Sequence, residues 1–385
     1  GATGAVGATG LEVPVGADIE VTSMTVSGIS ILGEVLISNN VIGSNSQVLP
    51  GQNTWEDVTF GDGKFVAVSP GEQVMYSTDG ISWTAAAAAG GASNWESVTY
   101  GDGKFVAVSY LGPNRVMYST DAINWTAASA AEDNGWRSVT YGNGKFVAVS
   151  TFEVSNSGPN RVMYSTDGIS WTSASAAEDN SWQSVTYGNG KFVAVADFSP
   201  ISGPNRVMYS TDGISWTAAS AAEDNNWYGV TYGNGKFVAV GRSGIGTNRV
   251  MYSTDAINWT AASAAEANNW WSVTYGNGKF VAVSSTGTNR VMYSTDGISW
   301  TSASAPEANF WQSVTYGDGK FVAIAGNGTN RVMYSTDGIS WTSAAPAPEV
   351  NEWFSVTYGG GKFVVTGRSG TNRAMYSTDG INWSN

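Results

Sequence analysis

Eight aspartates recur in one short motif, Ser-Thr-Asp-Gly or Ser-Thr-Asp-Ala, and carboxylates repeated in this way could coordinate metal ions or supply acids and bases for catalysis. They are Asp79, Asp121, Asp167, Asp212, Asp255, Asp296, Asp337 and Asp379. An aspartate followed by glycine in a hairpin more often accepts hydrogen bonds from its own turn. We therefore predict a structural role for all eight carboxylates and no metal site among them.

The residues that usually provide thiol, imidazole or metal chemistry are missing. The 385 residues include no Cys and no His, which excludes thiol nucleophiles, disulfides, histidine acid/base catalysis and the usual zinc or iron sites. The sequence predicts no cofactor. A net charge of −13 without a basic stripe disfavours binding to nucleic acid or to an anionic membrane. No apolar run has the length for membrane insertion.

The aspartates are positioned by a unit that occurs eight times between residues 53 and 385. Each unit has four short apolar segments, which are WSVTYG, KFVAVS, RVMYST and ISWTSA in the sixth unit. Asn277-Gly278 lies between the first and second segments, and Asp296-Gly297 lies between the third and fourth. Both dipeptides suit type I′ hairpins. The pattern predicts an all-β, eight-bladed β-propeller of four-stranded antiparallel blades. The lysine of the Gly-Lys-Phe motif marks the period at Lys64, Lys104, Lys145, Lys191, Lys236, Lys279, Lys320 and Lys362.

The segment STDGISW, residues 294–300, and its seven equivalents resemble the Asp-box, or BNR motif, of sialidase-type and related propellers, whose pattern is S-x-D-x-G-x-x-W. The present motif is one residue shorter between Asp and Gly, and Ala122 and Ala256 replace the glycine in two units. The resemblance covers roughly residues 53 to 385. It implies that the Asp ties down its turn and that the Trp packs between blades, but it implies no chemistry. Tryptophans such as Trp171 and Trp182 could instead be sugar-stacking platforms, yet their recurrence beside Val, Ile and Phe predicts an inter-blade core.

A sialidase-like glycan hydrolase is one alternative, since such hydrolysis needs an arginine cluster, a tyrosine nucleophile and an acid. Outside the repeated Asn-Arg pairs the arginines are Arg137, Arg242 and Arg368, and the Gly-Arg-Ser-Gly context of the last two indicates ordinary turns. Glu56 and Glu96 fall in adjacent blades and leave glycoside cleavage by paired carboxylates open. We expect that the chain is not an enzyme.

Function is expected where the eight copies differ, because identical positions can record duplication alone. The loop between second and third strands varies, and its long versions contain Phe152 and Phe198. With the first strand innermost, this loop and the residue after the first-strand tryptophan share one face. We predict a binding surface there, at the channel mouth, with Arg242 and Arg368 among its residues; the alternative is that these are drifted solvent positions. The residue after the tryptophan is Glu56, Glu96, Arg137, Gln183, Tyr228, Trp271, Gln312 and Phe354.

The repeated Asn-Arg pairs predict an ion pair between blades, with a glutamate of the inter-blade link as the partner of each arginine. The arginines are Arg115, Arg161, Arg206, Arg249, Arg290, Arg331 and Arg373, and the glutamates are Glu132, Glu178, Glu223, Glu266, Glu307 and Glu349.

The first 52 residues differ in texture from the repeats. Residues 1–10 place glycine at positions 1, 4, 7 and 10, the period of a collagen triple helix, although a flexible Gly-Ala linker is the alternative. Residues 11–52 alternate apolar residues and predict short strands. About 40 residues cannot bury a core alone, so these strands should pack on copies of themselves in a trimer or, alternatively, on the ring.

Together these features predict the head of a trimeric fibre at a virion surface or in the extracellular space. Its parts are a collagen-like stalk (1–10), a β-rich connector (11–52) and the propeller (53–385). Phage tail fibres and related virion appendages resemble this build. We expect non-enzymatic recognition of a host-surface glycan, or of a host protein, and contact with other virion proteins. The alternatives are a structural or decoration protein of a virion or cell surface, and a glycan hydrolase.

Overall fold

The structure is a computed structural model that describes residues 53–71, 73–89, 91, 93–151, 159–197, 205–244, 246–344 and 351–385. These residues lie in one compact unit of strands and turns. The predicted stalk and connector, and the loop residues Phe152 and Phe198, lie outside the described residues. The described segments contain no helix with the length and hydrophobicity that a membrane span requires.

Eight antiparallel blades form a ring, and the first strands of neighbouring blades contact one another all the way around it. The first strands are β1 (Asp57–Gly61), β6 (Ser93–Gly101), β10 (Gly135–Gly142), β14 (Ser181–Gly188), β18 (Asn225–Gly233), β22 (Trp270–Gly276), β26 (Trp311–Gly317) and β30 (Trp353–Gly359). The second strands are β2 (Lys64–Val68), β7 (Lys104–Ser109), β11 (Lys145–Thr151), β15 (Lys191–Asp197), β19 (Lys236–Gly244), β23 (Lys279–Ser284), β27 (Lys320–Ala325) and β31 (Lys362–Gly367).

The outer strands complete each blade. The third strands are β4 (Gln73–Ser77), β8 (Val116–Ser119), β12 (Val162–Ser165), β16 (Val207–Ser210), β20 (Val250–Ser253), β24 (Val291–Ser294), β28 (Val332–Ser335) and β32 (Ala374–Ser377). The fourth strands are β5 (Thr84–Ala87), β9 (Thr126–Ala128), β13 (Thr172–Ala174), β17 (Thr217–Ala219), β21 (Thr260–Ala262), β25 (Thr301–Ala303) and β29 (Thr342–Ser343). In the eighth blade a single bridge between Tyr376 and Ser384 stands at this place. A two-residue strand, β3 (Pro70–Gly71), pairs with β6 of the second blade. The predicted eight-bladed fold is confirmed.

The two tight turns of a blade differ from each other. Between first and second strands, Asn277 and Gly278 have φ of 45° and 73°, as a type I′ turn requires. Between third and fourth strands the type I′ prediction is wrong, because the loop is longer and positive φ falls on Gly297 but not on Asp296. The reason is that the aspartate side chain, rather than a two-residue turn, organises this loop.

Each of the eight motif aspartates accepts hydrogen bonds from its own turn, which confirms their predicted structural role. In the sixth blade, Oδ1 of Asp296 accepts the backbone N–H groups of Ile298 and Ser299 at 2.8 Å each. The Ser294 hydroxyl donates to the same oxygen at 2.8 Å. In the second blade, hydrogen bonds from the backbone and side chain of Asn124 hold the pKa of Asp121 well below its ordinary value.

The hydrophobic core lies between blades rather than within them, as predicted. Trp270 and Phe280 of the sixth blade are fully buried against Val238 and Val240 of the fifth. The motif tryptophan, Trp300, packs on the edge of the same cluster. Because one sheet face cannot be buried without its neighbour, each blade depends on the next.

A glycine at the end of each first strand allows the blades to approach closely. A Cβ on Gly276 would lie 2.0 Å from Cγ of Tyr316, because the tyrosine ring of the next blade covers this glycine. At the junction of the eighth and first blades the same contact is made by Gly359 and Phe60. Only glycine fits at this position.

The ring closes by packing of the first blade on the last. The backbone N–H of Trp55 donates to the carbonyl of Gly367 at 3.2 Å. The Ser355 hydroxyl donates to Oδ1 of Asp57 at 3.1 Å. Trp55 also shares an apolar cluster with Val364, so this interface has the same kind of core as the other seven.

Among the described residues the predicted arginine–glutamate pairing between blades is wrong, and the predicted partner Glu349 lies outside them. Arg161 Nε lies 2.7 Å from Oδ1 of Asp179, one residue beyond Glu178, and Arg115 and Arg206 pair in the same way with Asp133 and Asp224. The glutamates instead accept hydrogen bonds from the asparagine of the Asn-Arg pair in the next blade, as when the Asn205 N–H donates to Glu178 at 2.9 Å. Where alanine replaces the aspartate, Arg290 donates to backbone carbonyls.

The glycine contact predicts a specific coupling between blades. Gly276→Ala should destabilise the ring by ~1 to 3 kcal/mol, because its methyl group overlaps the Tyr316 ring. The loss should be much smaller in a Tyr316→Ala background, where the ring is absent. Urea unfolding of both single variants and the double variant measures the coupling, and simple additivity would contradict this account of the glycine.

Candidate functional site

The eight divergent residues that follow the first-strand tryptophans surround one cavity of about 300 Å³ at the centre of the ring. All except Glu56 are half-buried. The next position along each strand, which is serine in six blades, also lines this cavity. The structure therefore brings Glu56, Glu96, Arg137, Gln183, Tyr228, Trp271, Gln312 and Phe354 together; their role in binding stays a prediction.

A β-bulge presents the divergent residue in seven of the eight blades. In the third blade Trp136 pairs with Ser150 and Ser138 pairs with Val149, so Arg137 is the extra residue without a ladder partner. The same shift occurs in blades two and four to eight. A bulge turns a side chain out of the regular alternation. The buried tryptophan can thus face the inter-blade core while the next residue faces the cavity.

Arg137 joins two sides of the cavity. Its Nη1 lies 2.7 Å from Oε2 of Glu96 in the neighbouring blade. Its Nη2 donates to the Tyr228 hydroxyl at 3.3 Å, which bypasses the fourth blade. Burial raises the pKa of Glu96, and the charge of Arg137 offsets only part of this effect. Burial would lower the pKa of Arg137, but Glu96 and Tyr228 leave it above its ordinary value.

Tyr228, Trp271 and Arg242 form a stacked group on the adjoining arc. The Tyr228 and Trp271 rings meet edge to face with centroids 4.9 Å apart. Cζ of Arg242 lies 3.8 Å from the centroid of Trp271 and 4.8 Å from that of Tyr228. Trp271 Nε1 donates to the Ser285 hydroxyl at 2.9 Å, which orients the indole. Cation–π contact of this kind holds a guanidinium without neutralising its charge.

Arg368 links the last blade to the first. Its Nε donates to Oε2 of Glu56 at 3.1 Å, and Nη2 reaches the same oxygen. Its Cζ lies 3.4 Å from the centroid of Phe354. The interpretation of the two Gly-Arg-Ser-Gly segments as ordinary turns is wrong for Arg242, whereas Arg368 does begin a bend. Arg242 lies within β19 and Arg368 directly follows β31, and both side chains contact divergent residues across a blade interface.

Asp57 is the residue of this cavity that sequence comparison missed. It stands where six blades have serine, and its Oδ2 accepts the Val98 N–H of the second blade at 3.0 Å while Oδ1 contacts Ser355 of the eighth. Burial raises the pKa of Asp57 to about 6, in spite of these hydrogen bonds. Comparing the eight copies one position further along the strand would have found it, since only Asp57 and Gly229 depart from serine there.

Within the described segments, the two glutamines of the cavity, Gln183 and Gln312, make no ion pair or ring contact. Gln183 Nε2 donates to the Ser181 hydroxyl at 3.1 Å. Oε1 of Gln312 is buried and finds no hydrogen-bond donor among the described residues. Each amide lines the cavity, so each can offer a donor or an acceptor to a polar ligand.

The arrangement suits binding through aromatic faces and paired charges. Both glutamates at the mouth are in ion pairs, Glu56 with Arg368 and Glu96 with Arg137. The cavity is open enough for a sugar-sized or side-chain-sized group, and its walls combine three aromatic rings, two amides, three carboxyl groups and the Arg137 guanidinium. Surfaces of this mixed type recognise polar ligands that also have apolar faces.

Comparison with known proteins places the chain by fold alone. No protein-family model and no curated protein sequence matches it. Its fold is similar to the computationally designed Ika8 protein, with a TM-score of 0.64 and 9% identity over 84% of this chain and 96% of that one. Virginiamycin B lyase from Staphylococcus aureus is similar at a TM-score of 0.53 and 12% identity, covering 84% and 94% of the two chains. YCF48 from Cyanidioschyzon merolae is similar at 0.50 and 15%, covering 71% and 94%. All are β-propeller likenesses at low identity.

The raised pKa of Asp57 predicts a pH dependence that serine would remove. A raised carboxyl pKa means that the folded state binds more protons between about pH 4 and pH 6, so the contribution to stability is full below that range and is lost as pH rises through 6. Relative to Asp57→Ser, the wild-type protein should lose ~1 to 3 kcal/mol of unfolding free energy between about pH 4 and pH 7.

Urea unfolding at several pH values measures this difference. Asp102→Asn is the matched control, because it removes one carboxylate from an exposed turn where Asn143 and Asn189 stand in other blades. Parallel stability profiles for the wild type and Asp57→Ser would show that Asp57 does not titrate as described.

Proposed function

We propose that the chain is a non-enzymatic recognition head that binds a host-surface glycan at the mouth of the propeller channel. The observation that supports this most is the concentration of sequence divergence: in a scaffold repeated eight times, the eight most divergent residues face one cavity, seven of them from β-bulges. Drift at solvent positions would not select residues that are half-buried and in contact with one another.

A glycan is favoured over a host protein by the kind of surface at the mouth. Tyr228, Trp271 and Phe354 provide aromatic carbon, and Gln183 and Gln312 provide amides between them. Sugar rings combine apolar C–H faces with hydroxyl groups, and this combination matches such walls. A concave site of about 300 Å³ also suits one or two sugar residues better than a broad protein epitope, which needs a much larger contact area.

The recognition head belongs, in this proposal, to a trimeric virion fibre. The collagen-like period of residues 1–10 and the strand pattern of residues 11–52 support a three-chain stalk that also contacts other virion proteins. Three heads on one stalk would raise avidity through effective concentration, so each mouth can bind weakly. The Asp-box resemblance of the blades is compatible with such a head but specifies no ligand.

A glycan hydrolase is the second candidate. It is favoured by one observation, which is that burial raises the pKa of both Asp57 and Glu96 in the same cavity. Carboxyl groups whose pKa is raised above its ordinary value are candidates for general acids. Against this, Asp57 is held by hydrogen bonds from the blades on either side of its own, and Glu96 is paired with Arg137.

Substitution of the mouth aromatics tests the recognition function. Trp271→Ala, Tyr228→Ala and Phe354→Ala should each weaken binding to a glycan array and to candidate host cells by about tenfold or more, as expected for central aromatic contacts. Ile298→Ala is the control, because this side chain is 39% exposed on the turn between third and fourth strands, away from the cavity.

Three other results would change the assignment. Unaltered binding in all three aromatic variants would remove the mouth as the site. Release of oligosaccharides from a bound polysaccharide would favour the hydrolase. A head that binds no glycan and no cell, but orders onto purified virus particles, would favour a structural or decoration protein.

The stalk makes a separate prediction about mass. The full chain, with residues 1–52 present, should have three times the monomer mass of 40.3 kDa in solution, whereas residues 53–385 alone should be monomeric. Light scattering coupled to size-exclusion chromatography measures both. A full-length monomer at micromolar concentration would overturn the proposal of a trimeric fibre and would leave the proposed binding site unaffected.

A further inference from the structure

Two arginines of the mouth occupy the same position in their blades and differ in one respect. Arg242 follows Gly241 and Arg368 follows Gly367, so both occupy the same position in the repeat, although β19 continues past Arg242 and β31 ends before Arg368. Each guanidinium lies over the divergent aromatic residue of its own blade, Tyr228 or Phe354. Each also reaches the divergent residue of the following blade, so the two sites can be compared directly.

The divergent residue of the neighbouring blade determines whether each guanidinium is paired with a carboxylate. The first blade follows the eighth around the ring, and Arg368 binds its divergent residue, Glu56, through two nitrogens. After the fifth blade comes Trp271, and Arg242 lies over its ring at 3.8 Å. In the part of the chain that the structure describes, Arg242 has no ion pair and no hydrogen bond. The place that the Glu56 carboxylate takes beside Arg368 is therefore taken by the Trp271 ring beside Arg242.

The Arg242 guanidinium is held in place although it is not neutralised. Contact with two rings limits its motion, and the Trp271 ring is itself fixed by its hydrogen bond to Ser285. Guanidinium groups are planar, weakly hydrated and permanently charged, and their parallel N–H donors match the oxygens of carboxylate, sulfate or phosphate. A stacked, half-buried arginine with free donors is therefore a prepared partner for an oxyanion.

We propose that Arg242 is an oxyanion subsite of the mouth, where an acidic group on the glycan takes the place that Glu56 takes on Arg368. The inference rests on the recognition function proposed above and narrows its ligand to acidic saccharides. The sugar that bears the oxyanion lies against Tyr228 and Trp271, at the edge of the cavity. Arg137 and Arg368 do not compete for it, because carboxylates of the protein already occupy them.

The net charge of −13 makes this attraction local. The chain as a whole repels an anionic ligand, but charges farther than about 8 Å are largely screened at physiological salt. An acidic saccharide would therefore be recognised by contact with Arg242 rather than drawn in by the field of the protein.

Matched oligosaccharide probes test the subsite on the full chain. One arm is a hexuronate oligomer, the second a sulfated hexose oligomer, and the third the neutral hexose oligomer of the same length and linkage. Wild-type protein should bind at least one acidic arm about tenfold or more tightly than the neutral arm, since a hydrogen-bonded charge is worth at least this factor. Calorimetry or surface plasmon resonance at fixed salt gives the ratio.

Four variants assign the preference to Arg242, two that should abolish it and two that should keep it. Arg242→Ser introduces the residue of the sixth blade, Ser285, and should abolish the preference. Trp271→Glu should abolish it as well, because the new carboxylate would pair with Arg242 as Glu56 does with Arg368. Trp271→Gln, equal in length but uncharged, should weaken all three arms and still leave a preference for the acidic arm, because Arg242 keeps its charge and its contact with Tyr228. Arg373→Ser removes a positive charge outside the mouth and should keep the ratio.

The outcomes separate this inference from the function on which it rests. Equal affinity for acidic and neutral arms, or a preference that survives Arg242→Ser, overturns the oxyanion subsite, and binding that still depends on Tyr228 would leave the recognition function standing. Absence of binding to all arms and to cells overturns both. If a variant fails to fold, the NMR signal of the Arg242 Nε–H in wild-type protein decides, since it should shift only when an acidic probe is added.

Discussion

Burial of aromatic side chains between blades is the interaction on which this ring depends. Each first-strand tryptophan is at most 1% exposed, and its neighbours are the valines of the preceding blade. Full burial of a large apolar side chain contributes roughly 1.5 to 3 kcal/mol, and this gain exists only when two blades meet. No described blade has a core of its own, so the eighth interface, between the last blade and the first, must be as well packed as the others. Trp55 and Val364 supply that packing.

The same tryptophan determines how the mouth is built. Because the indole faces the inter-blade core and the following serine faces the cavity, the residue between them cannot follow the regular alternation of a strand. The bulge at Arg137 resolves this conflict by leaving that residue out of the hydrogen-bond ladder. In seven of the eight blades this bulge directs the divergent side chain to the same cavity, although these side chains include an acid, amides, an arginine and aromatic rings.

The repeat was sufficient to predict the fold, and the site only in part. Blade number, strand order and the roles of Asp296 and Trp270 depend on local pattern, which is visible in the sequence. Side-chain partners across blades are not: Asp179 rather than Glu178 meets Arg161, a difference of one residue that only the path of the loop decides. Arg242 and Arg368 looked like turn residues because their partners lie in the next blade. Asp57 lies one position beyond the most divergent residue, where most copies have serine, and a comparison limited to the most divergent position does not include it.

The bulge has a consequence for how the protein can change over generations. A bulged residue lies outside the hydrogen-bond ladder and outside the inter-blade core, so substitution there leaves both of these intact. Repetition of the unit copies the packing and supplies seven such positions. The residues that line the cavity can therefore change by single codons, one blade at a time, while the buried tryptophans remain fixed. The repeated packing of the blades keeps the fold constant, while the residues that line the cavity differ from one blade to the next.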